Sequence, residues 1–278
     1  MSKIPKIECI KILRQLGTEG SKPLLIQGSD GEYFIKRSLS NQMPKAEIIN
    51  EVICNGMLKV WQIVQPDVAQ LKINKSLIDE FELSGGKLDR IYENIDYRTE
   101  LFFASKRVEN TVDFAHFPNR IPKKELNTFA SPTDLLKIGC FDFWVGNKDR
   151  KPENPNTIIS TNSDGKFLFI PIDHARAFAD FSNYMEITKA RLNYSGAKNI
   201  LSSNIVKSIG KLELKGNTKI LEDNILECMA QTNKCLDDIF ETIPSEWGFS
   251  KKAKNHLKAI LGDEDRNKQI ASRFLNYL

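Results

Sequence analysis

A polar stretch, GNKDRKPENPN at residues 146 to 156, separates the apolar run CFDFWV from the strand-like run TIIS. Asp149 and Asn154 lie within it, and Asp173 follows a hairpin signal made of TIIS, the turn TNSDG and KFLFIPI. A carboxylate beside a hydroxyl can take its proton, and hard oxygen donors from Asp and Asn can hold a divalent cation against phosphate. This order of residues matches the layout for phosphoryl transfer, with Asp149 as base or orienting group and Asn154 and Asp173 on the metal. Arg150 suits either of two roles, neutralising the acidic loop or holding a phosphate. Lys148, Lys151 and Asn156 read as ordinary turn residues.

Such chemistry needs cations on the phosphates and a partner to hold them. Lys36 closes the strand-like run EYFIK, and Glu51 follows on a helical pattern, so the two form the expected lysine–glutamate pair. Glu47 lies one turn earlier and competes, but Glu51 sits in INEVICNGML, the most regular part of the helix. Ahead of Lys36, LGTEGSKPLLIQ offers small residues whose backbone amides could approach phosphate, with Gly20 and Ser21 as the contacts. A carboxylate at the end of FLFIPI is costly to bury alone, so a metal or a cap explains Asp173. His174 reads as a packed histidine rather than a catalyst, and Phe143 and Trp144 read as core.

The elements that must position these residues follow from periodicity. PLLIQ and EYFIK, joined by GSDG, predict a hairpin, and AEIINEVICNGMLKV predicts a helix over 46 to 60. LKINKSLI at 71 to 78 and TELFFAS at 99 to 105 read as extended. In SPTDLLKIGCFDFWVGN, Ser131 and Pro132 look like the cap and first-turn proline of a helix that delivers the polar loop. Beyond residue 183 the pattern is mainly helical, with Leu221, Ile225, Met229, Leu236 and Phe240 on one face and Leu257, Ile260, Leu261, Ile270 and Phe274 on another. The fold class is therefore α+β, with a β-rich N-terminal part (1–105) and a helical C-terminal part (106–278) carrying one hairpin.

Bulk properties narrow the function classes. The 278 residues are 41% hydrophobic and 27% charged, an ordinary globular balance with no low-complexity linker. Forty basic against thirty-six acidic residues give +4, and no basic helix accompanies them, which argues against direct nucleic-acid binding. No apolar run is long enough to span a membrane, and the start, MSKIPKIECIK, lacks a secretory core, so a cytoplasmic protein is expected. Five scattered cysteines without CxxC spacing suit buried thiols in a reducing compartment, and no His and Cys metal site is indicated.

With GTEGSKPLL, YFIK, INEVICNGML, GNKDRKPENPN, FIPIDHARAF and the late IPSEW, the chain resembles the HipA-like kinases along nearly its whole length. More distantly it resembles the phosphatidylinositol and actin-fragmin kinases, which share a DRxxxN loop. The resemblance implies a bilobal protein-kinase-like fold, ATP with Mg2+, and transfer of phosphate to Ser or Thr of an unidentified protein. It also implies that Lys36 contacts the phosphates and pairs with Glu51, and that backbone at Phe103, Ala104 and Ser105 forms the hinge meeting adenine. The chain departs from protein kinases in having no His before Asp149–Arg150, and His174–Ala175 in place of Phe-Gly after Asp173, which argues against control through an aromatic there. With no added DNA-binding helix-turn-helix region or long N-terminal extension, the compact form of the family matches better. A small-molecule kinase, or a pseudokinase serving as a binding module, is the alternative.

Overall fold

The computed structural model describes residues 3–17, 22–37, 45–93, 95–118, 120–180, 183–194, 199–214 and 218–278. Three strands open the chain: β1 (Cys9–Gln15), β2 (Leu24–Gly28) and β3 (Gly31–Lys36), the last two being the expected hairpin. Helix α1 (Ala46–Val60) and strand β4 (Val68–Leu71) follow, then α2 (Lys75–Leu83) and β5 (Phe102–Lys106). These strands form one antiparallel sheet in the order β1-β2-β3-β5-β4. The extended reading of 71 to 78 holds only to Leu71. Asn74 accepts the Ser76 amide as a helix cap, and Leu77, Ile78 and Phe81 lean on the small core under the sheet at helical spacing.

The second half begins with the short β6 (Val112–Asp113) and α3 (Asp134–Val145), continuing into the hairpin β7 (Thr157–Thr161) and β8 (Phe167–Pro171). Strands β6, β7 and β8 make a separate three-stranded sheet. Helices α4 (Lys189–Tyr194), α5 (Asn204–Glu213), α6 (Thr218–Glu241), α7 (Lys251–Leu261) and α8 (Glu264–Leu275) complete the chain. The predicted inward faces of α6, α7 and α8 are buried. Between α7 and α8 the helix is interrupted at Gly262, and Asp263 caps the new one by accepting the Arg266 amide. Helix α3 starts later than expected. Thr133 stands at its N-cap position, and Ser131 donates to the Asp134 carboxylate instead of capping the backbone.

Two cores hold this α+β fold. The smaller lies under the five-stranded sheet and takes in Ile12, Leu24, Ile26, Tyr33, Ile35, Phe102 and Ala104. The larger joins the C-terminal helices to α1, through Ile48, Ile49, Val52, Ile53, Met57 and Leu58, and reaches Phe103. The boundary expected between residues 105 and 106 falls inside β5. Phe143 and Trp144 are buried in the large core, as their apolar setting predicts.

Candidate active site

Lys36 is the last residue of β3, opposite Phe103 of β5, and its side chain reaches between two carboxylates. Its Nζ lies 2.9 Å from Glu51 Oε1 and 2.9 Å from Asp173 Oδ1. The second oxygen of Glu51 accepts the backbone N–H of His174 at 2.9 Å, so α1 is bonded to both the strand lysine and the segment after β8. Burial works against charge on both Lys36 and Glu51. Asp173 and then Glu51 nevertheless raise the Lys36 ammonium above its ordinary value, and Lys36 with the facing His174 lowers the Glu51 carboxyl below its own. Asn50 strengthens the same junction by donating to the carbonyls of Ala175 (2.9 Å) and Ala177 (3.1 Å), while Tyr184 donates to Asn50 Oδ1.

The polar loop is built from the end of α3 outward. Gly146 ends the helix at φ 64, a left-handed conformation that glycine adopts without a Cβ penalty. Asn147 then donates to Asp142 Oδ1 at 3.0 Å and accepts the Asp149 amide at 3.1 Å, turning the chain back on itself. Arg150 is fully buried. It donates to Asp142 Oδ2 (2.8 Å), to the carbonyls of Pro155 (3.2 Å), Asn156 and Ile172 (3.2 Å), and to His174 Nε2 (3.0 Å). Of its two predicted roles, the burial and partners fit charge compensation inside the loop and leave no face for a phosphate. Because a guanidinium can only donate, His174 Nε2 is the acceptor in that contact.

Asp149, Asn154, Asp173, Lys36 and Glu51 all line one cavity of 880 Å³. Phe34, Phe103, Ser105, Ile158 and Ile172 add apolar and small surface to it. Phe103 and Ser105 line the cavity, whereas Ala104 packs into the small core on the opposite side of β5. The backbone expected as the hinge, 103 to 105, lies within the sheet. Those residues pair with β3 on one edge and β4 on the other, so their amides and carbonyls are already taken. The chain that runs on from the sheet along the cavity is Arg107, Val108 and Thr111. Gly20 and Ser21 lie outside the described residues. The chain on either side of them is anchored: Lys22 pairs with Asp89, Tyr92 donates to the Lys22 carbonyl at 3.0 Å, and Gln15 accepts the Asp89 amide at 2.8 Å.

Three residues around the site lie outside the set expected from sequence. Asp142 is buried on a helix face that looks wholly apolar in sequence. Asn156 and Lys151, read as turn residues, line the cavity, and Asn156 donates to Asp149 Oδ2 at 3.0 Å. For Asn156 the available signal is its place two residues after Asn154 on the loop that carries Asp149. Asn154 directs its amide nitrogen to the Asp149 carbonyl at 3.3 Å, which leaves its oxygen for a cation, and Asp173 offers the second hard donor. Among the described residues no group of three or more His, Cys, Asp or Glu is placed to hold a metal. The two-donor set suits magnesium, which takes one or two protein oxygens and completes its shell with phosphate and water.

A sheet-bearing part and a helical part around a cavity with a strand lysine, a helix glutamate and two loop-borne aspartates define a kinase-like protein. The sequence matches the HipA-like kinase family over residues 9–272, and the chain belongs to that family. Its fold is similar to the crystal structure of the Helicobacter pylori proinflammatory kinase CtkA, with a TM-score of 0.57, 14% identity and 98% of each chain covered. No curated protein matches the sequence. Family and fold together support a phosphotransferase activity.

Proposed function

We propose that the chain binds ATP with magnesium and transfers the γ-phosphate to a hydroxyl, Ser or Thr of a protein. The observation that carries this reading is Lys36 held 2.9 Å from both Glu51 and Asp173 in a cavity that Asp149 and Asn154 also line. Lys36 would meet the phosphates, and Asn154 and Asp173 would hold magnesium, which supplies positive charge against the phosphate oxygens. The acceptor oxygen bonds to the γ-phosphorus as its proton passes to the Asp149 carboxylate. The bond from γ-phosphorus to the bridging oxygen breaks, and its electron pair leaves with ADP. Adenine would lie against Phe34, Ile158 and Ile172, beside backbone at 107 to 111 rather than 103 to 105. On this reading two lobes meet after Lys106. The protein acceptor rests on the family resemblance, and five unpaired cysteines support a reducing, cytoplasmic setting.

The test is incubation of the purified chain with γ-labelled ATP and magnesium, alone and with cell extract, beside Asp149→Ala and Asp173→Asn. Labelled protein bands from the wild type, reduced at least about 100-fold in both variants, are expected. ATP binding without any label transfer would make the chain a binding module. Label found only in small soluble products would overturn the protein acceptor.

A further inference from the structure

Among the described residues, Asn156 is the only side chain that hydrogen-bonds the Asp149 carboxylate, with Nδ2 lying 3.0 Å from Oδ2. The other bonds at Asp149 involve its backbone: Asn147 Oδ1 accepts its amide, and Asn154 Nδ2 donates to its carbonyl. The loop therefore fixes where the Asp149 backbone lies, but the torsion of the carboxylate is broad and needs a further contact to set it. Asn156 is in turn held hard. Its carbonyl accepts the Ile172 amide at 2.9 Å and a bond from the buried Arg150, and the next residue, Thr157, begins β7 opposite Pro171. Its φ of 39 lies in the left-handed region, where Asn is tolerated better than most side chains and from which its short amide can turn back on the loop.

We propose, resting on the kinase reading above, that Asn156 is a positioning residue for Asp149: its amide occupies Oδ2 and turns Oδ1 toward the acceptor hydroxyl. The chemistry of the amide fits that task. As a neutral donor it orients the carboxylate without pairing away the charge that attracts the acceptor proton, as a lysine or arginine at the same place would. Its anchorage through Arg150 and Ile172 also links the orientation of Asp149 to the strand that ends next to Asp173. The base and the metal-holding aspartate are thereby kept in one frame.

Asn156→Gly removes the amide while suiting the left-handed backbone, so it tests the contact without straining the loop. Single-turnover transfer from γ-labelled MgATP would be measured for the full chain as wild type, Asn156→Gly, Asp149→Ala and the double variant, with ATP affinity and melting midpoint alongside. We expect Asn156→Gly to lower the transfer rate about 10- to 100-fold, the scale on which a misplaced catalytic group acts, with ATP affinity and midpoint unchanged. In the Asp149→Ala background the same change should add nothing, because there is no carboxylate left to orient. A wild-type rate in Asn156→Gly, an equal loss in both backgrounds, or a loss that follows ATP affinity would overturn the role while leaving the kinase reading intact. A wild-type chain that binds ATP and transfers nothing would overturn both.

Discussion

Arg150 and Asp142 are both fully buried, and their pairing decides whether the polar loop after α3 can form. Burial pushes the Asp142 carboxyl above its ordinary value, with Arg150 opposing that rise. Removing one partner of such a pair leaves an uncompensated charge, so Arg150→Met should cost about 3–5 kcal/mol at neutral pH, measured by urea unfolding. A carboxyl raised in the folded state is least costly below its unfolded value and increasingly costly as pH rises past it, and losing Arg150 raises it further. The deficit of Arg150→Met should therefore shrink as pH falls toward 4, and Asp142→Asn in the same chain should recover part of it at pH 7. A deficit that is flat with pH would show that packing, not charge, is what Arg150 supplies. The residues that this pair supports were readable because Lys36, Glu51, Asp149, Asn154 and Asp173 follow one another in a functional order on elements of the right type. The support itself was not. Asp142 lies among Phe141, Phe143 and Trp144, and nothing in that spacing announces a carboxylate facing an arginine eight residues later.

At the scale of elements, α1 is fastened to the helical part rather than only to its own sheet. Trp61, just past its end, donates to Thr232 of α6 at 3.0 Å, and a Cβ placed on Gly56 would come within 2.9 Å of Ile239 on α6. Glycine is required there by a close approach of two helices. Gly56→Val should cost about 1–3 kcal/mol through overpacking and, by displacing the helix that carries Glu51, should weaken ATP binding as well. Ile239→Ala opens space at the same seam, so the double variant should lose less than the sum of the single losses in urea unfolding. Additive losses would mean that the seam is already loose. The elements that sequence patterning found are those with an uninterrupted period, such as the β2–β3 and β7–β8 hairpins, α1 and α6. Strand β1 escaped because its pairing with β2 shifts register twice, between Cys9 and Lys11 and between Ile12 and Arg14, which breaks the alternation of buried and exposed residues. The start of α2 reads as extended because LKINKSLI leads into it with an alternation of apolar and polar residues, and the helix itself is only nine residues long.

At the scale of the whole molecule, the cavity draws its walls from both sheets, from α1 and from the polar loop. Lys36 and Phe34 come from the five-stranded sheet, Glu51 and Asn55 from α1, Asp149 and Asn154 from the loop, and Ile158, Ile172 and Asp173 from the second hairpin and its exit. A ligand seated there touches both sheets, α1 and the polar loop at once, so its binding must stabilise the fold as a unit. At about 100 times Kd, MgATP should add about 2.7 kcal/mol, a rise of several degrees in melting midpoint for a chain of this size. The variants separate binding from chemistry. On the proposed reading, Lys36→Met removes the cation that meets the phosphates and should lose most of the shift, whereas Asp149→Ala, at the residue proposed to act on the acceptor, should keep it while losing transfer. Omitting magnesium should reduce the wild-type shift through Asn154 and Asp173, and Asp173→Asn should show the same reduced shift with the metal present. A wild-type midpoint that MgATP does not move would overturn the nucleotide reading itself, while an equal shift in Lys36→Met would place the phosphates somewhere other than between Glu51 and Asp173.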